Sequence, residues 1–318
     1  MAALCGAAGA QSGRLVEVDG RRMHIHCQGQ GSPTVVFDAG LGGSSLEWGA
    51  VVEQIKDLTA VCVFDRAGYG DSDMGPRPRT SSRMVEELRV LLDGAGVDPP
   101  YVMAAHSFGG YNAQLFARRY PSLVSGLVLV DASHPEQVER FLEPPLNMLT
   151  APSSSYGIVL FGDPPTPHPN LPAAARETVA QRNLTWKTRR TYGNELLGFR
   201  DSARQVKDAA PLGELPTVVI SRGLPLKGDD PNSVTVQTRW MLMQSELARL
   251  SENTVHLIAL KSGHHIHLDQ PNVVAYALAL VTDSIRSNGE VLEEKHHASN
   301  YSIDGVTWLT DSLLPSKN

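Results

Sequence analysis

Short apolar runs alternate with amphipathic stretches along most of this chain. Arg22 to Cys27 reads as a strand that runs into a glycine-rich turn. Thr34 to Phe37 and Ala60 to Phe64 are compact β-branched and aromatic runs, the pattern of buried strands. Between them, Leu46 to Leu58 has helical spacing. Ser81 to Leu92 places Met84, Val85, Leu88, Leu91 and Leu92 on one face, which predicts an amphipathic helix ending at Gly94 or Gly96. Tyr101 to Ala104 reads as a strand, Phe108 to Tyr120 as a helix stopped by Pro121, and Leu127 to Val130 as another strand.

The alternation then breaks. Residues 134–213 are rich in proline and polar side chains, with helical stretches near Ala173 to Trp186 and Asn194 to Ala209. It resumes with a strand at Thr217 to Ile220, a helix around Val234 to Leu250, a strand at Val255 to Ala259 and a helix from Val273 to Ile285. Alternating strands and helices imply an α/β fold whose mostly parallel sheet is covered on both faces. An interruption of about 80 residues is too long for a loop and reads as an inserted helical cap. The expected organisation is a discontinuous core at 14–133 and 214–287, a cap at 134–213 and a loosely docked polar tail at 288–318.

Composition narrows the picture. The 318 residues carry a net charge of -6 and are 42% hydrophobic, enough for a sizeable core. A mildly acidic chain gives no reason to expect a nucleic-acid partner. Cys5, Cys27 and Cys62 lack a regular spacing, so Cys27 and Cys62 are expected as buried free thiols and a cytoplasmic location as their consequence. Met1 to Ala10 is apolar but short of the roughly 20 residues of a membrane span, and lacks the basic start of a secretory signal. It also fits the stub of a shortened anchor. Asn183-Leu184-Thr185 and Asn300-Tyr301-Ser302 match the glycosylation acceptor pattern, which matters only in a secreted chain.

The candidate chemistry centres on Ala105-His106-Ser107-Phe108-Gly109-Gly110, between a predicted strand and a predicted helix. A nucleophilic serine needs a tight strand-to-helix turn that exposes its Oγ, with small residues two before and two after it. Gly109 meets that need, and Ala105 stands where glycine is usual but is still small. A chance Ser-x-Gly at a helix start is the plain alternative, and the strand-turn-helix context disfavours it. His264 can take the serine proton near neutrality and return it to a leaving group. His265 and His267 are its neighbours and read as loop or packing residues. His264/His267 and His24/His26 would make poor metal sites without a third convergent ligand, so no metal or other cofactor is expected.

These stretches resemble the α/β-hydrolase superfamily in order, from about Arg14 to Ile285. Asp38-Ala39-Gly40-Leu41-Gly42-Gly43 resembles its oxyanion loop, and Asp65-Arg66-Ala67-Gly68-Tyr69-Gly70-Asp71-Ser72 a turn after the fourth strand. Leu127 to Asp131 resembles the sixth strand, and Gly263-His264 with Leu268-Asp269-Gln270-Pro271 the histidine loop. Asp131-Ala132-Ser133-His134-Pro135 is similar to a bacterial subgroup of generic hydrolases. The resemblance implies oxyanion donors at the backbone N–H groups of Leu41 and Phe108. It usually has histidine where Ala39 stands. Asp65, Arg66, Gly68 and Gly70 read as structural.

The third member of the implied Ser-Asp-His set has two candidate places. The common family position follows the seventh strand, where Gly223-Leu224-Pro225-Leu226 offers no acid, though Asp229 and Asp230 come soon after. Asp131, at the end of the sixth strand, is the position used in some haloalkane dehalogenases, and a strand end holds a carboxylate better than a long loop. Asp131 is therefore preferred, with Asp229/Asp230 left open.

The function implied is ester hydrolysis through an acyl-enzyme on a small-molecule substrate. Carbon–carbon bond hydrolases, lactonases and amidases share the same triad, and a slow ligand receptor on this fold is a second class. Dehalogenation is disfavoured by a serine nucleophile. Proline iminopeptidases usually carry tryptophan where Phe108 stands. Phe141, Leu146, Met148, Phe161 and Trp186 would be cap core more often than pocket lining.

Overall fold

The computed structural model describes residues 13–142, 164–225, 232–287, 292 and 304–308. Among the described residues, nine strands make one sheet. They are β1 (Arg14–Val18), β2 (Arg21–Gln28), β3 (Thr34–Asp38), β4 (Val61–Phe64), β5 (Tyr101–His106), β6 (Val124–Val130), β7 (Thr217–Arg222), β8 (Thr254–Ala259) and β9 (Val306–Trp308). Their spatial order is β1-β2-β4-β3-β5-β6-β7-β8-β9. The run from β4 to β8 is parallel, and β1, β2 and β9 pair antiparallel at the two ends.

The helices between strands cover both faces. They are α1 (Gly49–Ile55), α2 (Ser81–Gly94), α3 (Gly109–Arg119), α8 (Ser233–Leu247), α9 (Ile266–Asp269) and α10 (Pro271–Arg286). Between β6 and β7 the described chain holds only helices: α4 (Gln137–Leu142), α5 (Ala173–Asn183), α6 (Trp186–Leu197) and α7 (Phe199–Lys207). Because successive strand residues point to opposite faces, β5 feeds two cores. Tyr101, Met103 and Ala105 join the core under α2, α3 and α7, while Val102 and Ala104 join the core under α1 and α10. Full burial on both sides explains why these strands read as unbroken apolar runs.

Several expectations need correction. Residues Leu46 to Leu58 are not one helix: a 3-10 turn (Ser45–Trp48) leads into α1. The stretch from Asn194 to Ala209 breaks at Gly198, whose backbone packs against the Arg79 carbonyl so closely that a Cβ would lie 2.3 Å from it. The tail is not wholly loose, since β9 adds an antiparallel edge to β8. Most consequential, Cys27 and Cys62 are not free thiols. They sit opposite each other across β2 and β4 and form a disulfide, with Cα atoms 4.1 Å apart. Cys27 is exposed and only Cys62 is buried. With these two thiols bonded, a cytoplasmic location no longer follows from the cysteines. Cys5 and Asn300 lie outside the described residues. Among the described residues, no helix is long and apolar enough to cross a membrane.

Candidate active site

Ser107 occupies the turn between β5 and α3 with φ 51°, in the left-handed region that side chains avoid. The strain is held by the sheet: Ser107 N–H donates to the Val130 carbonyl at 3.2 Å, and Ser133 N–H donates to the Ser107 carbonyl at 2.9 Å. Gly109 must be glycine, because a Cβ there would stand 2.6 Å from the Asp38 carbonyl oxygen. Ala105 is fully buried, which is why a small residue suffices two positions earlier. The result is a half-buried hydroxyl raised above the carboxyl ends of the parallel strands.

His264 arrives from the loop between β8 and α9. That loop is tied down by Gly263 N–H donating to Asp269 Oδ2 at 3.0 Å. His264 Nε2 lies 2.9 Å from Ser107 Oγ, and Nδ1 lies 2.6 Å from Asp131 Oδ2. An ionised carboxylate can only accept, so Nδ1 carries the proton and Nε2 is left free to accept from the serine.

Asp131 follows β6, is fully buried and has φ 43°. Trp240 Nε1 donates to its Oδ1 at 2.7 Å, and the Arg222 backbone N–H donates to the same oxygen at 3.1 Å. The Arg222 guanidinium donates to Oδ2 at 3.2 Å. Burial raises the carboxyl pKa, but the Arg222 charge and the His264 and Trp240 hydrogen bonds outweigh it, and the net shift is downward. The preferred acid therefore meets the histidine. Asp229 and Asp230 lie outside the described residues.

The glycine-rich loop passes close to Ser107. A Cβ on Gly40 would lie 3.3 Å from the Ser107 Cβ. Among the described residues, neither the Leu41 N–H nor the Phe108 N–H donates a backbone hydrogen bond. Leu41 is half-buried and Phe108 fully buried, stacked on Phe199 of α7 with ring centres 5.3 Å apart. Arg66 does more than brace a turn. Its guanidinium donates to the Ala39 carbonyl at 2.5 Å, the Gly40 carbonyl at 2.8 Å and Asp38 at 2.7 Å. It also pairs with Glu195 of α6 at 2.9 Å, tying the inserted helices to the loop. Gly43 N–H donates back to the Gly40 carbonyl at 3.1 Å, whereas the Leu41 N–H has no backbone acceptor among the described residues.

Around His264 lies a group of imidazoles. His106 Nε2 donates to the His264 carbonyl oxygen at 2.9 Å, and its ring centre is 4.4 Å from that of His267. Burial first, then the neighbouring imidazoles, pushes His106 and His265 well below the ordinary histidine range. His267 is fully buried and pushed down to about 3 by the same causes. Its expected packing role fits this position, against Trp48 at 4.5 Å. His24 pairs with Asp65 at 3.1 Å. His134, Glu136 and Glu246 do converge, with ligand atoms within 4.8 Å of one another. Arg140 already holds both carboxylates, at 2.6 Å and 2.7 Å, and Lys207 holds Glu136. That cluster reads as an ion-pair network.

Sequence reasoning missed Arg222, Trp240 and His106. Only His106 left a signal, by standing next to the nucleophile. Of the expected cap residues, Phe141 is buried, but Trp186 is 67% exposed and is not part of the core. Leu146, Met148 and Phe161 lie outside the described residues.

The sheet order, the elbow and the histidine loop together define an α/β-hydrolase fold. A model of the alpha/beta hydrolase family matches residues 35–278, and the chain belongs to that family. Among relatives by sequence is the uncharacterized protein YqjL of Bacillus subtilis, 27% identical over 82% of this chain and 88% of its own. A second protein of that organism, YbdG, is 26% identical over 84% of each. Among solved structures, a thermophilic esterase from Thermogutta terrifontis superposes with TM-score 0.59 at 20% identity, over 87% of this chain and 98% of its own. The epoxide hydrolase CorEH superposes with TM-score 0.60 at 19% identity, over 86% and 99%. Those likenesses show the shared fold.

Proposed function

We propose that this chain is a serine hydrolase that cleaves small-molecule carboxylic esters through an acyl-enzyme. The observation that carries the reading is the continuous chain Ser107 Oγ–His264–Asp131, at 2.9 Å and 2.6 Å. Ser107 attacks the acyl carbon while His264 Nε2 takes its proton. The Leu41 and Phe108 N–H groups receive the oxyanion. His264 then protonates the departing alcohol, and water repeats the sequence on the acyl-enzyme.

The identity of the nucleophile supports acyl chemistry over epoxide or halide opening. Attack by a serine oxygen on a saturated carbon makes an ether, which this machinery has no means to hydrolyse. Attack on an acyl carbon makes an ester, which it does. Helices α4 to α7, inserted between β6 and β7, act as the roof that selects the acyl or alcohol group. The Cys27–Cys62 bond supports an oxidising compartment for the protein.

The test is a panel of p-nitrophenyl esters of rising acyl length, with fluorophosphonate labelling followed by peptide mass analysis. Turnover abolished by Ser107→Ala, with the label on Ser107, is the expected result. Negligible turnover in the parent, with tight ligand retention in Ser107→Ala, establishes the receptor reading in its place.

A further inference from the structure

A cavity lies between helix α5 and the 3-10 turn that leads into α1. Its volume is about 580 Å³, within the usual range for small-molecule sites. Leu46, Leu171, Ala174, Ala175 and Leu268 give it an apolar wall. None of Ser107, His264, Asp131, Leu41 or Phe108 is among its lining residues.

The charged groups on this wall are mostly spoken for. Asp71 holds Arg182 at 2.7 Å, Glu53 holds Lys56 at 2.7 Å, and His24 faces Asp65. Glu47 differs. Its side chain is only 14% exposed, and the nearest basic nitrogen is His267 Nε2 at 3.9 Å, beyond hydrogen-bond distance. Burial keeps the His267 imidazole neutral, so it supplies no compensating charge. Arg66 is consumed by Asp38, Glu195 and the loop carbonyls, and the His168 imidazole, also nearby, faces Asp269 at 3.5 Å. The Glu47 carboxylate packs against Gly43, where a single added carbon would stand 2.5 Å from its Oε2.

A poorly compensated carboxylate at the wall of an apolar cavity is costly unless something supplies a donor. The complementary molecule has an apolar body and a cationic, hydrogen-bonding head. We propose that the cavity beneath α5 is a ligand site, separate from the nucleophile, for a primary alkylamine whose ammonium group is held by Glu47. A carboxylic acid of the same length is the wrong ligand, because its head repeats the charge already there. Burial pushes the Glu47 carboxyl up to about 7, and an ammonium alongside it favours the ionised form.

The probes are octylamine, octan-1-ol and octanoate, measured by isothermal titration calorimetry on the full chain at pH 8. Octylamine is expected to bind at least tenfold tighter than either other probe. Glu47→Gln is expected to weaken octylamine at least tenfold while leaving octan-1-ol within threefold. Ala175→Trp, which fills the cavity from α5, is expected to abolish binding of all three. Circular dichroism melting curves verify that both variants are folded. Octylamine that binds Ala175→Trp as well as the parent places the ligand elsewhere and overturns the proposal. So does octylamine that binds no better than octanoate, or is indifferent to Glu47→Gln. None of these outcomes depends on ester turnover, so the second site and the esterase reading stand or fall apart.

Discussion

Replacing Asp131 by asparagine tests the arrangement most sharply, because the consequence follows from counting donors. Four N–H groups converge on this carboxylate: Trp240 Nε1 and the Arg222 backbone N–H on Oδ1, and His264 Nδ1 and the Arg222 guanidinium on Oδ2. Asparagine has one accepting oxygen and one NH2. The indole and the backbone amide are obligate donors, so the oxygen must stay at the Oδ1 position. The NH2 then faces His264, which escapes the clash by moving its proton from Nδ1 to Nε2. That tautomer points a proton at Ser107 and can no longer accept one. Loss of the correct tautomer in a Ser-His-Asp triad costs about 10⁴ in kcat, or about 5 kcal/mol of transition-state stabilisation. KM should change little, since the carboxylate is buried beneath the histidine. Arg222 also loses its counter-charge at a fully buried position, and breaking such a pair costs about 3–5 kcal/mol of stability. The assay is p-nitrophenyl ester hydrolysis well below the melting temperature of the variant, beside Asp230→Asn as a control with little effect. A folded Asp131→Asn that retains more than a tenth of the parent kcat, or a larger loss in Asp230→Asn, refutes the assignment.

Three further outcomes follow from the same structure. His106→Phe keeps a ring against His264 but loses the 2.9 Å bond to its carbonyl. A net hydrogen bond of about 1 kcal/mol predicts roughly a fivefold fall in kcat at unchanged KM, with recovery in His106→Gln; an unaltered kcat in the phenylalanine variant shows the bond to be idle. Burial pushes His134 and His256 down to about 4 and His267 to about 3, below the ordinary value of 6.5. Their folded pKa values are depressed, so the unfolded chain takes up protons first as pH falls. Stability is full above pH 6.5 and is lost toward pH 4, by about 3 kcal/mol per histidine, and a melting temperature that stays level from pH 6.5 to 4.5 contradicts this. Finally, Cys27 and Cys62 close a loop across 35 positions, which removes about 4 kcal/mol of unfolded-state entropy. Reduction should lower the melting temperature by roughly 6 °C, and no shift after thiol alkylation has verified reduction would show the bond to be thermally silent.

How much of this was legible in the chain depends on the range of the physics involved. The strands from Thr34 to Ala259 announced themselves because full burial on both faces demands unbroken apolar runs. The nucleophile turn was readable because its small neighbours are a local steric need, met within six consecutive residues. Gly198 parts one predicted helix in two, and the immediate sequence does not show that only glycine fits there, since the close contact is with the Arg79 backbone 119 positions away. The Cys27–Cys62 bond was misread for the same reason. Free and bonded cysteines look alike in a strand, and only the antiparallel register of β2 on β4 sets these two opposite each other.

Sequence alone therefore determined the alternation that builds the sheet, the elbow that presents Ser107, and the glycine-histidine loop that reaches it. Tertiary structure decided what those groups are made to do. It chose Asp131 to face His264 across 133 positions, surrounded that carboxylate with Arg222 and Trp240, and left Glu47 poorly compensated at the wall of an apolar cavity. The division has one cause. Backbone geometry is dictated by neighbours along the chain, whereas the charge and hydrogen-bond balance of a side chain is set by whatever the fold brings against it.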